Sequence, residues 1–181
     1  MLFDQAINIP EVLLSGAVTA VLVAEKRRYN LRIKAGDVAA FKKTSRLKLP
    51  VKINTASISN DMSCFKLGPD EWIVIADPSK QQELDAAFHD MSNVLTFSVT
   101  DISHRNVAFE VSGPKAETLL NVGCPLDLSL AAFPIGKVTR TVFESAQIMI
   151  ARVDEQSFYV ETWRSFGPYL RDFFERVVTT R

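Results

Sequence analysis

Val107-Ala-Phe-Glu-Val-Ser-Gly-Pro-Lys-Ala-Glu-Thr-Leu-Leu120 decides the fold. Val107, Phe109 and Val111 recur with the period of two expected of a strand. Gly113-Pro114 then opens a helix that ends at Gly123, with Pro just inside the start and Gly just past the end. Ala116, Leu119 and Leu120 are its apolar face. The same succession stands earlier in the chain. A strand over 28–34 contains Leu31-Arg-Ile-Lys-Ala-Gly36, and Gly36-Asp37 opens a short helix through about Lys43.

A hairpin and a second helix come after each strand–helix step. Strands over 63–67 and 71–77 flank Gly68-Pro69-Asp70, a turn in which Pro fixes φ and Gly admits positive values. Trp72-Ile73-Val74-Ile75-Ala76 is apolar on both faces, which places it centrally in a sheet. Ser79 with Gln82 has the spacing of a capping box. The helix it opens carries Leu84, Ala87, Phe88 and Met91 on one face. Leu95, Phe97 and Val99 then alternate in a half-buried strand, and 50–62 is polar and loop-like. In the second half, strands over 138–143, 147–153 and 158–163 precede a helix over about 166–178, with Phe166, Leu170, Phe173, Phe174 and Val177 on one face. Strand–helix–hairpin–helix, used twice, predicts an α+β fold of two ferredoxin-like βαββα halves related by internal duplication. The halves, about 18–102 and 103–181, form one compact unit in this reading.

Composition agrees with that plan and excludes others. At roughly 150 residues per domain, 181 residues make one domain or two packed halves. An apolar content of 47% excludes disorder, and 7 Gly with 2 Cys exclude collagen-like and disulfide-scaffold chains. Cys64 and Cys124 sit in neither a CxxC nor a CxxH setting, which points to reduced, structural thiols of a cytoplasmic protein. The apolar stretch 12–24 is interrupted by Ser15, Gly16 and Thr19, too short for a span of about 20 residues. Asp4 and Glu11 precede it without a basic residue, the wrong flank for a signal peptide, so no membrane partner is expected.

Net charge is zero but unevenly spread. Residues 1–60 hold 10 Lys/Arg against 4 Asp/Glu, so the rest holds 11 against 17. Nine basic residues between Lys26 and Lys48 face only Asp37. Tyr29 and Phe41 are the sole aromatics there, too few to stack bases, so nucleic acid is not the expected partner. A solvated face, or a docking surface for an acidic protein around Lys42 and Lys43, remains. The loop at Cys124-Pro125-Leu126 and Ala131-Ala132-Phe133-Pro134 is too apolar for a solvated connection. Leu126, Leu130 and Phe133 are therefore expected to meet a partner, and more tightly than the basic stretch does.

Catalytic equipment is scarce. No two glycines lie within nine residues of each other, which excludes GxGxxG and the P-loop. His89 and His104 are the only histidines, neither with a second His at metal spacing. Asp101 and His104 could form a base and its orienter, but no nucleophile can be assigned to them. An Asp-x-Ser-His turn between two strands reads more simply as structural: Asp101 accepting from Ser103 in an Asx turn, with His104 beside it. The expected catalytic, cofactor-binding and metal-binding residues are therefore none.

Thr100-Asp-Ile-Ser-His-Arg105, Val111-Ser-Gly-Pro114 and Leu119-Leu120 resemble the folate-binding T-protein superfamily, which includes the glycine-cleavage aminomethyltransferase. Leu67-Gly-Pro-Asp-Glu-Trp72, Gly123-Cys-Pro-Leu-Asp-Leu128, Ala132-Phe-Pro-Ile-Gly136, Thr139-Arg-Thr141 and Glu161-Thr-Trp-Arg-Ser-Phe166 together are similar to the gamma subunits of heterotetrameric sarcosine oxidases. That resemblance implies a T-protein-like fold and a non-catalytic subunit of an alpha–beta–gamma–delta complex. Such a complex demethylates sarcosine oxidatively to glycine, with hydrogen peroxide and methylene-tetrahydrofolate as products. It further implies FAD, FMN, NAD, tetrahydrofolate and zinc held by other subunits, and alpha as the partner. T-proteins carry a Gly-Gly and acidic residues in the hairpin that approaches folate. Here the stretch reads Val142-Phe-Glu-Ser-Ala-Gln-Ile148, without the glycines that allow close backbone approach. A folate-dependent aminomethyltransferase, or an interaction subunit of another dehydrogenase, is the alternative.

Overall fold

The computed structural model describes residues 17–45 and 47–179; the part of the apolar stretch 12–24 that precedes residue 17 lies outside them. The described chain divides into two compact units. An N-terminal unit takes residues 25–104 and 136–139, and a C-terminal unit takes 17–24, 105–135 and 140–179. Among the described residues no helix is long and apolar enough to cross a membrane.

The C-terminal unit is built on β1 (Thr19–Leu22), β7 (Asn106–Ser112), α3 (Ala116–Leu120), β8 (Val138–Phe143), β9 (Ala146–Asp154), β10 (Ser157–Trp163) and α4 (Gly167–Thr179). Its sheet runs β1-β7-β10-β9-β8 and is antiparallel where β1, β7, β10 and β9 pair. The N-terminal unit comprises β2 (Arg27–Ile33), α1 (Val38–Ser45), β3 (Thr55–Ile58), β4 (Met62–Lys66), β5 (Glu71–Ala76), α2 (Gln81–Ser92) and β6 (Phe97–Asp101). Its order is β3-β4-β5-β2-β6. Slot by slot the two sheets are the same: β3 answers to β8, β4 to β9, β5 to β10 and β2 to β7. The fifth slot differs in origin. In the N-terminal unit it is filled by β6, which follows the second helix, whereas in the C-terminal unit it is filled by β1, from the other end of the chain.

That swap corrects a plain division near residue 103. β1 stands in the first half of the sequence, but Thr19 to Leu22 pair with Ser112 to Phe109. Residues 136–139 join the N-terminal unit for the same reason. Ala56 N–H donates to Gly136 O at 2.7 Å, and Val138 N–H to Asn54 O at 3.1 Å. Backbone pairing over long separations draws the boundary, and no local pattern encodes it.

β5 is the central strand, as an apolar run on both faces requires. Trp72, Val74 and Ala76 pack with Leu31, Phe41 and Met91, and Ile73 and Ile75 are buried on the opposite face. Trp72 donates its indole N–H to Pro50 O at 2.9 Å, which satisfies the one polar atom of a fully buried side chain. In the C-terminal unit Phe109, Phe143, Phe158 and Phe174 form the core under α4. Phe143 meets Phe173 and Phe174 edge-on at 4.8 and 5.5 Å.

Three local expectations change. β3 lies inside the stretch expected to be loop. The capping box at Ser79 does not form; instead Asp77 Oδ1 accepts from Ser79 N–H at 3.0 Å and starts a 3-10 turn ahead of α2. The helix expected from Gly113-Pro114 to Gly123 shrinks to α3, because Gly113 has a φ of 115° and lies outside helical space. A Cβ at Gly113 would stand 2.7 Å from Ala17 O, so this position joins the β1 approach to the strand–helix corner.

Candidate functional site

Three stretches far apart in sequence converge on one groove of the C-terminal unit, about 340 Å³ in volume. Arg105 and Asn106 come from the start of β7, Arg140 to Val142 from β8 and Gln147 to Met149 from β9 of one hairpin, and Glu161 to Trp163 from the end of β10. The register explains the meeting. Glu161 pairs with Ala108 on one side and Met149 on the other, and Trp163 pairs with Asn106. Along β10, Phe158 and Val160 face the helix-covered core, so Tyr159, Glu161 and Trp163 share the other face.

Glu161 is the buried charge at the floor of this groove. Asn106 Nδ2 donates to one of its oxygens at 2.5 Å, and the Tyr159 hydroxyl donates to the other at 2.7 Å. Arg105 Nε in turn donates to Asn106 Oδ1 at 3.1 Å. The carboxylate is thus engaged at both oxygens and held as a fixed polar floor. Trp163 is 49% exposed at the rim, beside Phe166 at 6.4 Å between ring centroids. No cysteine or lysine lines the groove, and its hydroxyls, on Thr141 and Thr162, have no histidine beside them. An exposed indole and two arginines give the groove aromatic and cationic contact groups.

The predicted Asp-x-Ser-His turn lies in the N-terminal unit. Asp101 Oδ1 accepts from Ser103 N–H at 2.8 Å and from the Ser103 hydroxyl at 2.5 Å. Ser103 Oγ itself accepts from Arg28 N–H at 3.0 Å, and Ile102 N–H donates to Arg28 O at 2.8 Å. These bonds fasten the end of β6 to β2. Partial burial opposes ionisation of Asp101, but the two Ser103 donors, with Arg27 and His104, outweigh it and hold the carboxyl below its usual range. Asp101 is exposed, although its parity along β6 predicted an inward position; the chain turns there and the side chain bends back over Ser103. His104 and His89 are exposed. Among the described residues no three His, Cys, Asp or Glu side chains gather as a metal site. Cys64 and Cys124 are both free and buried, and burial pushes the Cys64 thiol up to about 12.

The apolar loop resolves differently from its expectation. Phe133 is 2% exposed and packs in the core with Leu128 and Phe158, so it is not an outward anchor. Leu126 is half-buried against the same core, and only Leu130, at 46%, faces outward. Arg152 holds the loop in. Its buried guanidinium lies 4.3 Å above the Phe158 ring and donates to the carbonyls of Phe133 (2.6 Å), Leu128 and Glu155, with Glu117 at 3.3 Å. Sequence reasoning missed Arg152 because an arginine in a strand pattern reads as an outward residue. Lys42 is half-buried and Lys43 exposed, both in the last turn of α1.

With this geometry in view, comparison with known proteins decides the family. Residues 33–178 match the model of the sarcosine oxidase gamma subunit family, a span that enters both units. The chain belongs to that family. It is 30% identical over 135 residues to the sarcosine oxidase subunit gamma of Corynebacterium sp. (strain P-1), covering 73% of this chain and 64% of that one. The Arthrobacter sp. subunit gamma is 29% identical over 151 residues, 81% of this chain and 72% of its own. Among solved structures, the heterotetrameric sarcosine oxidase from Corynebacterium sp. U-96 in complex with pyrrole 2-carboxylate contains a chain that superposes with a TM-score of 0.81 at 23% identity, over 92% of this chain and 87% of that one. The glycine cleavage system aminomethyltransferase T from Bartonella henselae shares the fold at a TM-score of 0.62 and 12% identity, over 86% of this chain and 44% of its own.

Arg105, Arg140 with Thr141, and Glu161 to Trp163 of the groove lining belong to segments that carried the family resemblance, whereas Val142 with Gln147 and Ile148 belongs to the hairpin in which the chain departs from the T-proteins. In that hairpin Glu144 takes a φ of 48°. A left-handed turn position, which glycine fills without strain, is occupied here by a side chain.

Proposed function

We propose that this chain is a non-catalytic gamma subunit of a cytoplasmic, heterotetrameric sarcosine oxidase. In that assembly sarcosine is demethylated oxidatively to glycine, with hydrogen peroxide and methylene-tetrahydrofolate as products. FAD, FMN, NAD, tetrahydrofolate and zinc are held by the other subunits, and the alpha subunit is the principal partner. The observation that carries the reading is the family match over residues 33–178. The groove supports it: the carboxylate that lines it has both oxygens committed to Asn106 and Tyr159. Asp101, Ser103 and His104 serve as a structural turn in this reading.

Co-purification tests it. A tagged chain expressed with the other subunits of its own sarcosine oxidase is expected to bring them down in stoichiometric amount. A chain that elutes alone, at concentrations where those subunits assemble with one another, would contradict the proposal. The likeness to aminomethyltransferase T carries a second reading, a folate-dependent transferase. Saturable tetrahydrofolate binding by the isolated chain would favour it.

A further inference from the structure

The N-terminal unit carries a surface that the groove and the Asp101 turn do not involve. A depression of about 470 Å³ lies between the end of α1 and the edge strand β3, lined by Lys42, Lys48, Pro50, Val51, Ala56 and Ser57 among others. Val51 beside it is 75% exposed, and Ile53 and Ile58 are 42% and 41% exposed. Lys43 and Lys52 stand next to these positions in the chain. Among the described residues none of Lys42, Lys43, Lys48 and Lys52 has a carboxylate partner within ion-pair distance.

We infer that this lysine-bearing, aliphatic surface, formed by residues 42–45 and 47–58, docks an acidic segment of the alpha subunit whose own aliphatic side chains fill the depression. The inference rests on the gamma-subunit reading above and names the surface that reading leaves open. Two unpartnered lysines on the wall of the depression, Lys42 and Lys48, beside exposed Val51, with Lys43 and Lys52 adjacent in sequence, make a complementary pattern for acid and apolar groups together. A second copy does not fit, because a face-to-face pair would set lysines against lysines. Nucleic acid does not fit either. The two aromatics of the basic stretch, Tyr29 and Phe41, are 3% and 0% exposed and cannot stack on bases. The apolar loop at 124–134, the rival surface in the sequence, has turned its Phe133 into the core. Charge would steer the encounter, and burial of Val51 would hold the complex.

The test measures binding of the full chain to the alpha-containing assembly, at about 50 mM and about 0.5 M salt, a range over which screening length falls severalfold. Lys42→Glu/Lys48→Glu is expected to weaken binding at least about tenfold at low salt and much less at high salt. Val51→Asp is expected to weaken it at both, and Lys115→Glu, in the C-terminal unit, at neither. Circular dichroism and the melting profile check that each variant is folded; should the double variant unfold, Lys52→Glu, at an exposed bend, takes its place with the same expectation. Folded variants that bind as the wild type does overturn the inference and leave the gamma-subunit reading standing. Salt-sensitive retention on an oligonucleotide or anionic vesicles, lost in the lysine variant while alpha binding is intact, overturns it in favour of a polyanion. A wild-type chain that does not bind the assembly overturns both.

Discussion

Ser103 is held from two sides, and the consequences fall on Asp101. Its hydroxyl accepts from Arg28 N–H and donates to Asp101 Oδ1, while its own amide donates to the same oxygen. Asp101→Ala leaves a buried serine without its acceptor, at a cost of about 1 kcal/mol, the low end for a lost charged acceptor because water reaches the exposed position. Asp101→Asn keeps an acceptor oxygen and should lose less. The pH dependence has a definite sign. The folded-state pKa is depressed, so the stabilisation is fully present above the ordinary Asp range and is lost as pH falls through the folded value. Melting temperatures from pH 7 down to pH 3 should therefore converge for wild type and Asp101→Ala; a constant gap would contradict the linkage. Residue identity alone announced the Asx turn, since Asp two residues before Ser has few other uses between strands. It could not announce Arg152 or Glu161. Both are buried charges on strands, and their burial depends on what covers their face of the sheet, a tertiary fact.

At the scale of elements, the link between α3 and β8 is a tight seam of the C-terminal unit. A Cβ on Gly123 would stand 2.7 to 2.9 Å from three atoms of the Phe143 ring, itself locked against Phe173 and Phe174. Glu144 N–H donates to Gly123 O at 2.8 Å, so the backbone cannot retreat without losing that bond. Gly123→Ala should destabilise by about 1–3 kcal/mol through overpacking, seen as a lower urea midpoint at unchanged slope. A neutral outcome would mean the ring moves freely. Regular elements with a buried face were legible: β2, β7 and α2 follow from the apolar period, and β5 from a run apolar on both faces. β3 was not. An edge strand pairs on one main side and Thr55-Ala-Ser-Ile58 buries little, so it leaves almost no apolar signature. Phe133 misled for the complementary reason. Loops normally stay on the surface, and this one enters the core because Arg152 supplies donors for its carbonyls.

For the whole molecule, the duplication is complete in architecture and broken in connectivity, with β1 and β6 filling equivalent slots from different ends of the chain. Of the basic stretch, Lys42 and Lys48 line the depression beside exposed Val51 in the N-terminal unit, while Lys26 and Arg32 are paired with Asp77 and Asp70. The family resemblance lay open in short motifs, and those motifs reach the groove's lining. The groove's polar floor was legible only in structure, because Glu161 meets its partners 2 and 55 residues away across the sheet. The central claim of the proposal is that this chain adds surface to sarcosine oxidase and no chemistry. Sarcosine-dependent peroxide formation by the purified chain, recorded with its visible absorption spectrum, tests that claim most directly. The account predicts turnover at the level of the blank and no flavin band; turnover above the blank, or a stoichiometric flavin band, would contradict it.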